Sequence, residues 1–299
     1  MRARSHPNYR QLSSLPPQLR RTTVPAAARA WVQDAVGSRV MRWRRLPGAS
    51  TSAVHAIDLA DGRRLVLRRW VWSFVLSDEP AVPGRELDAL RFVAAAGVAA
   101  PRVVASDVTG EQVGDGVPAV LMTFLPGRAI AVPDSRLLAE CAAAIHDVPT
   151  SGYGHEFFRW SLDALDGPPA TASDPGLWRQ ALDLRRTAMP DFRPVFIHRD
   201  YHPGNVLWFR GAVSGVVDWP NACCGPWECD IASCRQNLIW LSGDAAADEF
   251  QSRYTALTGR DYHPYWELNR WLEFDADHWT AERVSDFEPR LRRLVSALG

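Results

Sequence analysis

The sequence predicts an α+β protein in two parts: a small antiparallel sheet with one main helix, then a mainly helical region. Three observations predict this. Up to residue 124, apolar residues alternate with period two between tight-turn signals, with one helical stretch among them. After the break Leu125-Pro126-Gly127 the apolar spacing becomes helical. Within that second part, short apolar runs flank the polar segment "FIHRDYHPGN" at 196–205. The expected division is a loosely ordered arm over 1–25, an N-terminal domain over 26–124 and a C-terminal domain over 125–299.

The elements follow in order. "AAARAWVQDAVG" reads as a short helix stopped by Gly37. A first strand ends near Arg45, a Gly/Ser/Thr-rich turn occupies Pro47–Ser52, and a second strand covers about Ala53–Leu59. Asp61-Gly62 is a tight-turn signal, and "RRLVLRRW" returns as a strand. Its alternation puts Leu65 and Leu67 on one face and Val66 and Arg68 on the other. "PGRELDALRFVAAAG" spaces Leu87, Leu90 and Val93 as a helix that Gly97 ends. "APRVVASD" and "PAVLMTFLPG" are strands. "SRLLAECAAAIHDV" and "DPGLWRQALDLRRTA" are helices, and the tail from Cys229 to Leu298 is largely helical.

Composition narrows the function classes. The chain has 299 residues, 46% hydrophobic and 23% charged, ordinary for a globular protein able to bury a sizeable core. Its formal net charge is zero, so no global electrostatic case exists for nucleic acid or membrane partners. The basic, proline-broken N-terminus lacks the apolar stretch of an export signal, and no run reaches the ~20 residues of a membrane span. A cytoplasmic protein with reduced thiols is therefore expected. Cys223, Cys224, Cys229 and Cys234 cluster, but not as the two Cys-x2–4-Cys pairs of a zinc site. All 34 basic residues are arginine, a compositional bias that matters where chemistry would ordinarily use lysine.

The chemistry is concentrated in two segments. His198-Arg199-Asp200 is followed by Asn205, and "GVVDWP" places Asp218 thirteen residues further on. Phosphoryl transfer needs charge neutralisation and a group that orients the attacking hydroxyl. Mg²⁺ prefers a few hard oxygen ligands, with water and phosphate completing its shell. Asp200 as proton acceptor, with Asn205 and Asp218 as metal ligands, satisfies these needs. The order H-R-D, four residues, N is also that of the kinase catalytic loop. The triplet His198, Asp200, His202 admits a metal-hydrolase reading, which Asn205 and Asp218 disfavour.

"HRDYHPGNVLW" with "GVVDWPNACCGPWECDIA" resembles the aminoglycoside phosphotransferase family and its choline-kinase-like relatives. The resemblance is strongest over 195–235 and weaker over about 40–270. It implies a two-lobed protein-kinase-like fold with nucleotide between the lobes, ATP or GTP as donor, Mg²⁺, and a small-molecule hydroxyl acceptor. Aminoglycoside-, macrolide- and choline-like acceptors are all open, as is a role in antibiotic resistance. Arg68 stands for the usual strand lysine and Glu86 for its helix partner, with Arg69 the rival if the register slips. Ser50, Thr51 and Ser52 take the phosphate-covering turn, although that turn has only one glycine. Met122 to Phe124 resemble the adenine-binding hinge. His198 and Asp230 are expected as supports of the catalytic loop. The missing lysine and glycine-poor turn motivate an alternative, a non-catalytic nucleotide-binding regulatory protein on the same fold. Finally, Trp266, Trp271 and Trp279 among Glu267, Glu273, Asp275 and Asp277 read either as a packed core with solvated acids or as a site for a cationic acceptor.

Overall fold

Five antiparallel strands form the sheet that carries the first group of expected site residues, in the order β1-β2-β3-β5-β4. They are β1 (Val40–Leu46), β2 (Ala53–Leu59), β3 (Arg64–Arg69), β4 (Val103–Asp107) and β5 (Ala119–Thr123). The computed structural model describes residues 23–49, 51–159, 165–274 and 276–299. Most of the expected arm, and Ser50 and Asp275, lie outside those residues. Contacts divide the chain into two units: one runs through Ile130 and takes in Gly204–Ala222, the other comprises Ala131–Pro203 and Cys223–Gly299.

In the first unit, helix α1 (Ala26–Val36) ends at Gly37, whose left-handed φ of 61° suits a residue without Cβ. Its Ala28, Val32 and Val36, with Val24 ahead of them, pack on Ile57, Leu59, Leu65 and Leu67. Residue 24 is therefore part of the core. Since Leu65 and Leu67 face α1, strand alternation turns Val66 and Arg68 to the opposite face. A short helix α2 (Ser73–Asp78), not expected from the sequence, precedes α3 (Val82–Ala95). Helix α3 packs against β4 and β5 and buries Glu86, Leu87, Leu90 and Val93.

Gly204–Ala222 also belongs to this unit. It contains a two-stranded hairpin whose arms, described with their register below, turn at Arg210 and Gly211, both at positive φ (53° and 82°). Two such residues form the hairpin turn that matches strand twist.

In the second unit, β6 (Val195–Ile197) pairs antiparallel with a later strand, Cys223–Gly225. Helix α4 (Ser135–His146) is capped by Asp134, which accepts from the Leu137 amide. Helix α5 (Pro175–Thr187) is capped by Asp174 in the same way. Helix α6 (Glu228–Ser242) is buried at every position from Glu228 to Leu238, as befits a helix enclosed by others. Helices α7 (Asp244–Thr258) and α8 (Tyr265–Trp271) pack on it, and α9 (Ala281–Leu298) packs on α5 and α8. Trp178, Trp271, Trp279 and Phe287 share one apolar cluster, with the Trp178 and Trp279 rings edge-on at 4.8 Å. Among the described residues no helix is long and apolar enough to cross a membrane.

Candidate active site

The expected residues gather into two groups, one in each unit. In the first, β3 presents Arg68 and α3 presents Glu86 on the same side of the sheet. Arg68 Nη1 donates to Glu86 Oε1 at 2.7 Å and to Asp218 Oδ1 at 2.7 Å. Its Nε donates to the Ser52 hydroxyl at 2.9 Å, and its guanidinium lies 5.1 Å from the Trp70 ring centre. Arg69 is on the other face and donates to Asp115, so the register separates the two arginines. Two carboxylates share one guanidinium nitrogen, but unequally: the Glu86 side chain is 2% exposed and that of Asp218 41%. Burial pushes Glu86 up to about 7, the charge of Arg68 opposing and that of Asp218 adding. Despite burial, Asp218 and Glu86 hold Arg68 above its usual range, so it stays charged.

The hairpin brings Asn205 and Asp218 together. Strands β7 (Val206–Phe209) and β8 (Ala212–Val216) pair with Val206 opposite Val216. One step beyond that pair, the Val217 amide donates to the Asn205 carbonyl at 2.9 Å. Asn205 thus enters the hairpin and Asp218 leaves it, at the same end. Asp218 has φ 71°, a left-handed conformation that an aspartate tolerates better than most residues and that recurs at functional sites. The amide and carboxylate oxygens of Asn205 and Asp218 are hard donors in small number, which fits Mg²⁺.

The remaining expected residues of this unit are placed differently from the simplest picture. Ser52 is fully buried and its hydroxyl is occupied by Arg68 rather than presented to a ligand. Thr51 lies in the partly buried turn beside it. Met122 is buried in β5 opposite Val66. The amides of Thr123 and Phe124 donate to the carbonyls of Arg102 and Arg64. Backbone recognition along Met122 to Phe124 is therefore limited to other groups.

In the second unit, the loop after β6 is held by Asp230 at the start of α6. Asp230 is fully buried; its Oδ2 accepts from the His198 amide at 2.8 Å and its Oδ1 from the Arg199 amide at 2.7 Å. His146 Nε2 lies 3.1 Å from the same Oδ2, and its other ring nitrogen meets the Tyr254 hydroxyl at 2.7 Å. His198 Nδ1 accepts from the Asp200 amide at 3.2 Å. With Arg199 at φ 69°, this clamp turns the loop sharply and leaves the Asp200 side chain 24% exposed. Burial would raise the Asp200 carboxyl, but His202, Arg270 and His198 outweigh it and hold the group well below the usual carboxylate range. Asp200 is thus an ionised acceptor at neutral pH.

Sequence reading missed two partners of this loop, Glu273 and Arg270. Arg199 is buried and pairs with Glu273 at 3.1 Å; Arg270 pairs with Glu273 at 2.9 Å and reaches Asp200 Oδ1 at 3.5 Å. Glu267 is likewise taken by Arg235 and Arg290. Trp266, Trp271 and Trp279 are buried at 1%, 4% and 3% exposure. Of the two readings of this stretch, the packed core holds for the tryptophans, while Glu267 and Glu273 are neither solvated nor available to a cation. The sole sequence hint was that Glu267, Arg270 and Glu273 recur at helical spacing. The cysteines are all free thiols, and burial pushes Cys223 up to about 12.

Residues 42–291 match the Phosphotransferase enzyme family, and the chain belongs to that family. Among curated relatives it is 30% identical over 132 residues to the homoserine kinase of Rhizobium etli (strain CIAT 652), covering 40% of this chain and 41% of that one. With the homoserine kinase of Gluconacetobacter diazotrophicus (strain PAl5) it shares 33% identity over 178 residues, covering 52% and 54%. The chain thus spans about two fifths to about half the length of these relatives. The solved structure of aminoglycoside phosphotransferase APH(4)-Ia superposes with a TM-score of 0.64 at 18% identity, over 91% of this chain and 99% of that one. A ternary complex of a thermostable mutant of that enzyme with ADP and hygromycin B gives 0.63 at 17%, over 91% and 99%. Macrolide 2'-phosphotransferase MphH from Brachybacterium faecium gives 0.58 at 18%, over 92% and 98%. At such identities the likeness is one of fold, the protein-kinase-like α+β fold.

Proposed function

We propose that this protein transfers the γ-phosphate of ATP or GTP to a hydroxyl of a small molecule. The observation that carries the reading is the Arg68–Glu86–Asp218 cluster, with Asn205 at the same hairpin end and an ionised Asp200 five residues before Asn205. Asn205 and Asp218 would hold Mg²⁺. That ion, when bound, supplies positive charge to the phosphate oxygens.

The chain's own residues do the rest. Arg68, fixed by Glu86 and Ser52, offers a second positive charge to the phosphates in place of lysine. Asp200 accepts the proton of the acceptor hydroxyl as its oxygen bonds to the γ-phosphorus and the bridging bond to the nucleotide diphosphate breaks. Asp230 keeps the loop in place through two backbone amides. The nucleotide complex of a protein with the same fold supports nucleotide as donor. The relatives' names point to homoserine and the structural neighbours' names to hygromycin B and macrolides as acceptors worth testing.

The test is a Mg²⁺-dependent phosphoryl-transfer assay with ATP or GTP against L-homoserine, hygromycin B, a macrolide and choline. Acceptor-stimulated turnover is expected, and Asp200→Ala is expected to lower kcat by about 10²–10⁴-fold, the usual contribution of a general base. Nucleotide binding without turnover on any acceptor would favour the regulatory alternative, for which the Arg68–Asp218 ion pair is the supporting feature, since it occupies a metal ligand.

A further inference from the structure

Beside the proposed base stands a preorganised arginine. Arg270 lies on α8, and three interactions hold it. Its Nε donates to Gln236 Oε1 at 3.1 Å, its Nη1 donates to Glu273 Oε2 at 2.9 Å, and its backbone carbonyl accepts from Gln236 Nε2 at 3.5 Å. Gln236 is fully buried, and the Glu273 side chain is 6% exposed and already shared with Arg199. The third nitrogen, Nη2, points at Asp200 Oδ1 from 3.5 Å, a long contact for a charge-assisted hydrogen bond. Arg270 and Asp200 keep 13% and 24% side-chain exposure, so neither side chain is sealed from solvent.

The charge balance gives the edge a meaning. Glu273 is divided between two arginines, and Glu267 is divided between Arg235 and Arg290. The two glutamates of this stretch, the groups suited to an ammonium, are already paired with arginines. The groups acting most strongly on Asp200, beyond burial, are His202, Arg270 and His198. A polycationic amino sugar would bring its ammonium groups against this guanidinium. A carboxylate close to the reacting hydroxyl would instead find a planar donor aimed at it.

We propose that Arg270 receives a carboxylate of the acceptor, so that the substrate is a small hydroxy acid or hydroxy amino acid. This rests on the phosphotransferase reading above and narrows its acceptor. Asp200 takes the hydroxyl proton while Arg270 exchanges its long contact with Asp200 for the acceptor's carboxylate. The arginine thereby selects the acceptor and sets the distance between its carboxylate and its reacting oxygen.

The experiment compares acids with neutral and cationic counterparts: L-homoserine and glycerate against L-homoserine amide, 3-amino-1-propanol and hygromycin B. Each is assayed in the full chain, in Arg270→Gln and in Arg270→Lys, with melting temperature and nucleotide binding followed for all three proteins. The expected result is that an acid exceeds its amide at least tenfold in kcat/KM. Arg270→Gln abolishes that preference, mainly through KM, and Arg270→Lys restores part of it. Transfer only to the neutral or cationic acceptors overturns the proposal and leaves the phosphotransferase reading standing. An equal loss of kcat for acid and amide in Arg270→Gln also overturns it, assigning Arg270 to Asp200 or to the transferred phosphoryl group. Absence of both nucleotide binding and transfer overturns the two readings together.

Discussion

At the scale of single residues, the Arg68 cluster is a problem of unequal burial. One cation serves two carboxylates, and the enclosed Glu86 takes the larger share of the cost of holding charge away from water. Its carboxyl rises from 4.5 to about 7 in the folded protein. A carboxyl raised on folding contributes stability that is present below its unfolded value and lost as pH rises through the folded one. Gln at this position cannot titrate. The melting temperature of the native protein minus that of Glu86→Gln should therefore fall between about pH 5 and about pH 8. A difference that is flat or growing over that range would mean that Glu86 is ionised throughout. Asp200 has the opposite displacement and needs no such range to be charged. Asp200 should accordingly not set the acidic limb of a pH–rate profile, and a limb at the usual titration of an aspartate would contradict its lowered carboxyl.

At the scale of elements, the β7–β8 hairpin sets the separation of Asn205 and Asp218, and its position depends on close backbone approach. Gly215 has φ 153°, and a Cβ there would come within 2.6 Å of the Ala99 carbonyl oxygen. The next residue, Val216, donates to that same oxygen at 2.8 Å. Gly215→Ala should cost about 1–3 kcal/mol of stability, the range for overpacking. It should weaken Mg²⁺–nucleotide binding as well, because the displaced strand carries Asp218. Chemical denaturation and calorimetric titration measure the two effects. A destabilised variant with unchanged Mg²⁺–nucleotide affinity would separate the hairpin from the proposed Mg²⁺ site. The loop after β6 depends on a different device: a single buried carboxylate, Asp230, binds successive amides from α6, so the loop is tied to a helix buried from Glu228 to Leu238.

At the scale of the whole molecule, 34 basic and 34 acidic residues cancel at pH 7. Proteins near zero net charge associate most readily. Solubility in a precipitant titration should therefore pass through a minimum near pH 7 and rise on either side; a monotonic trend would contradict it. Much of the molecule was legible in one dimension. Period-two alternation, the Asp61-Gly62 turn and helix stops such as Gly37 are local consequences of backbone sterics, and they marked most elements to within a few residues. Asp200, Asn205 and Asp218 were legible because two of them share one loop and the third follows at a hairpin's length. The partner of Ser52 was not legible, because a hydroxyl's partner is set by what folds over it, here Arg68 from sixteen residues away. Beyond its helical spacing from Glu273, Arg270 gave no sign of meeting Asp200, since its partners Asp200, Gln236 and Glu273 are distributed over three segments of the chain. By itself, then, the sequence determined the α+β class, the order of elements and the residue types on which the phosphotransfer proposal rests, all matters of short-range periodicity and chemical identity. Only the tertiary structure decided that Arg68 and not Arg69 meets Glu86, that Glu267 and Glu273 are spent on arginines, and that a guanidinium stands beside Asp200. Strand register and long-range charge pairing arise when distant segments compete for the same buried partners, and nothing local records that competition.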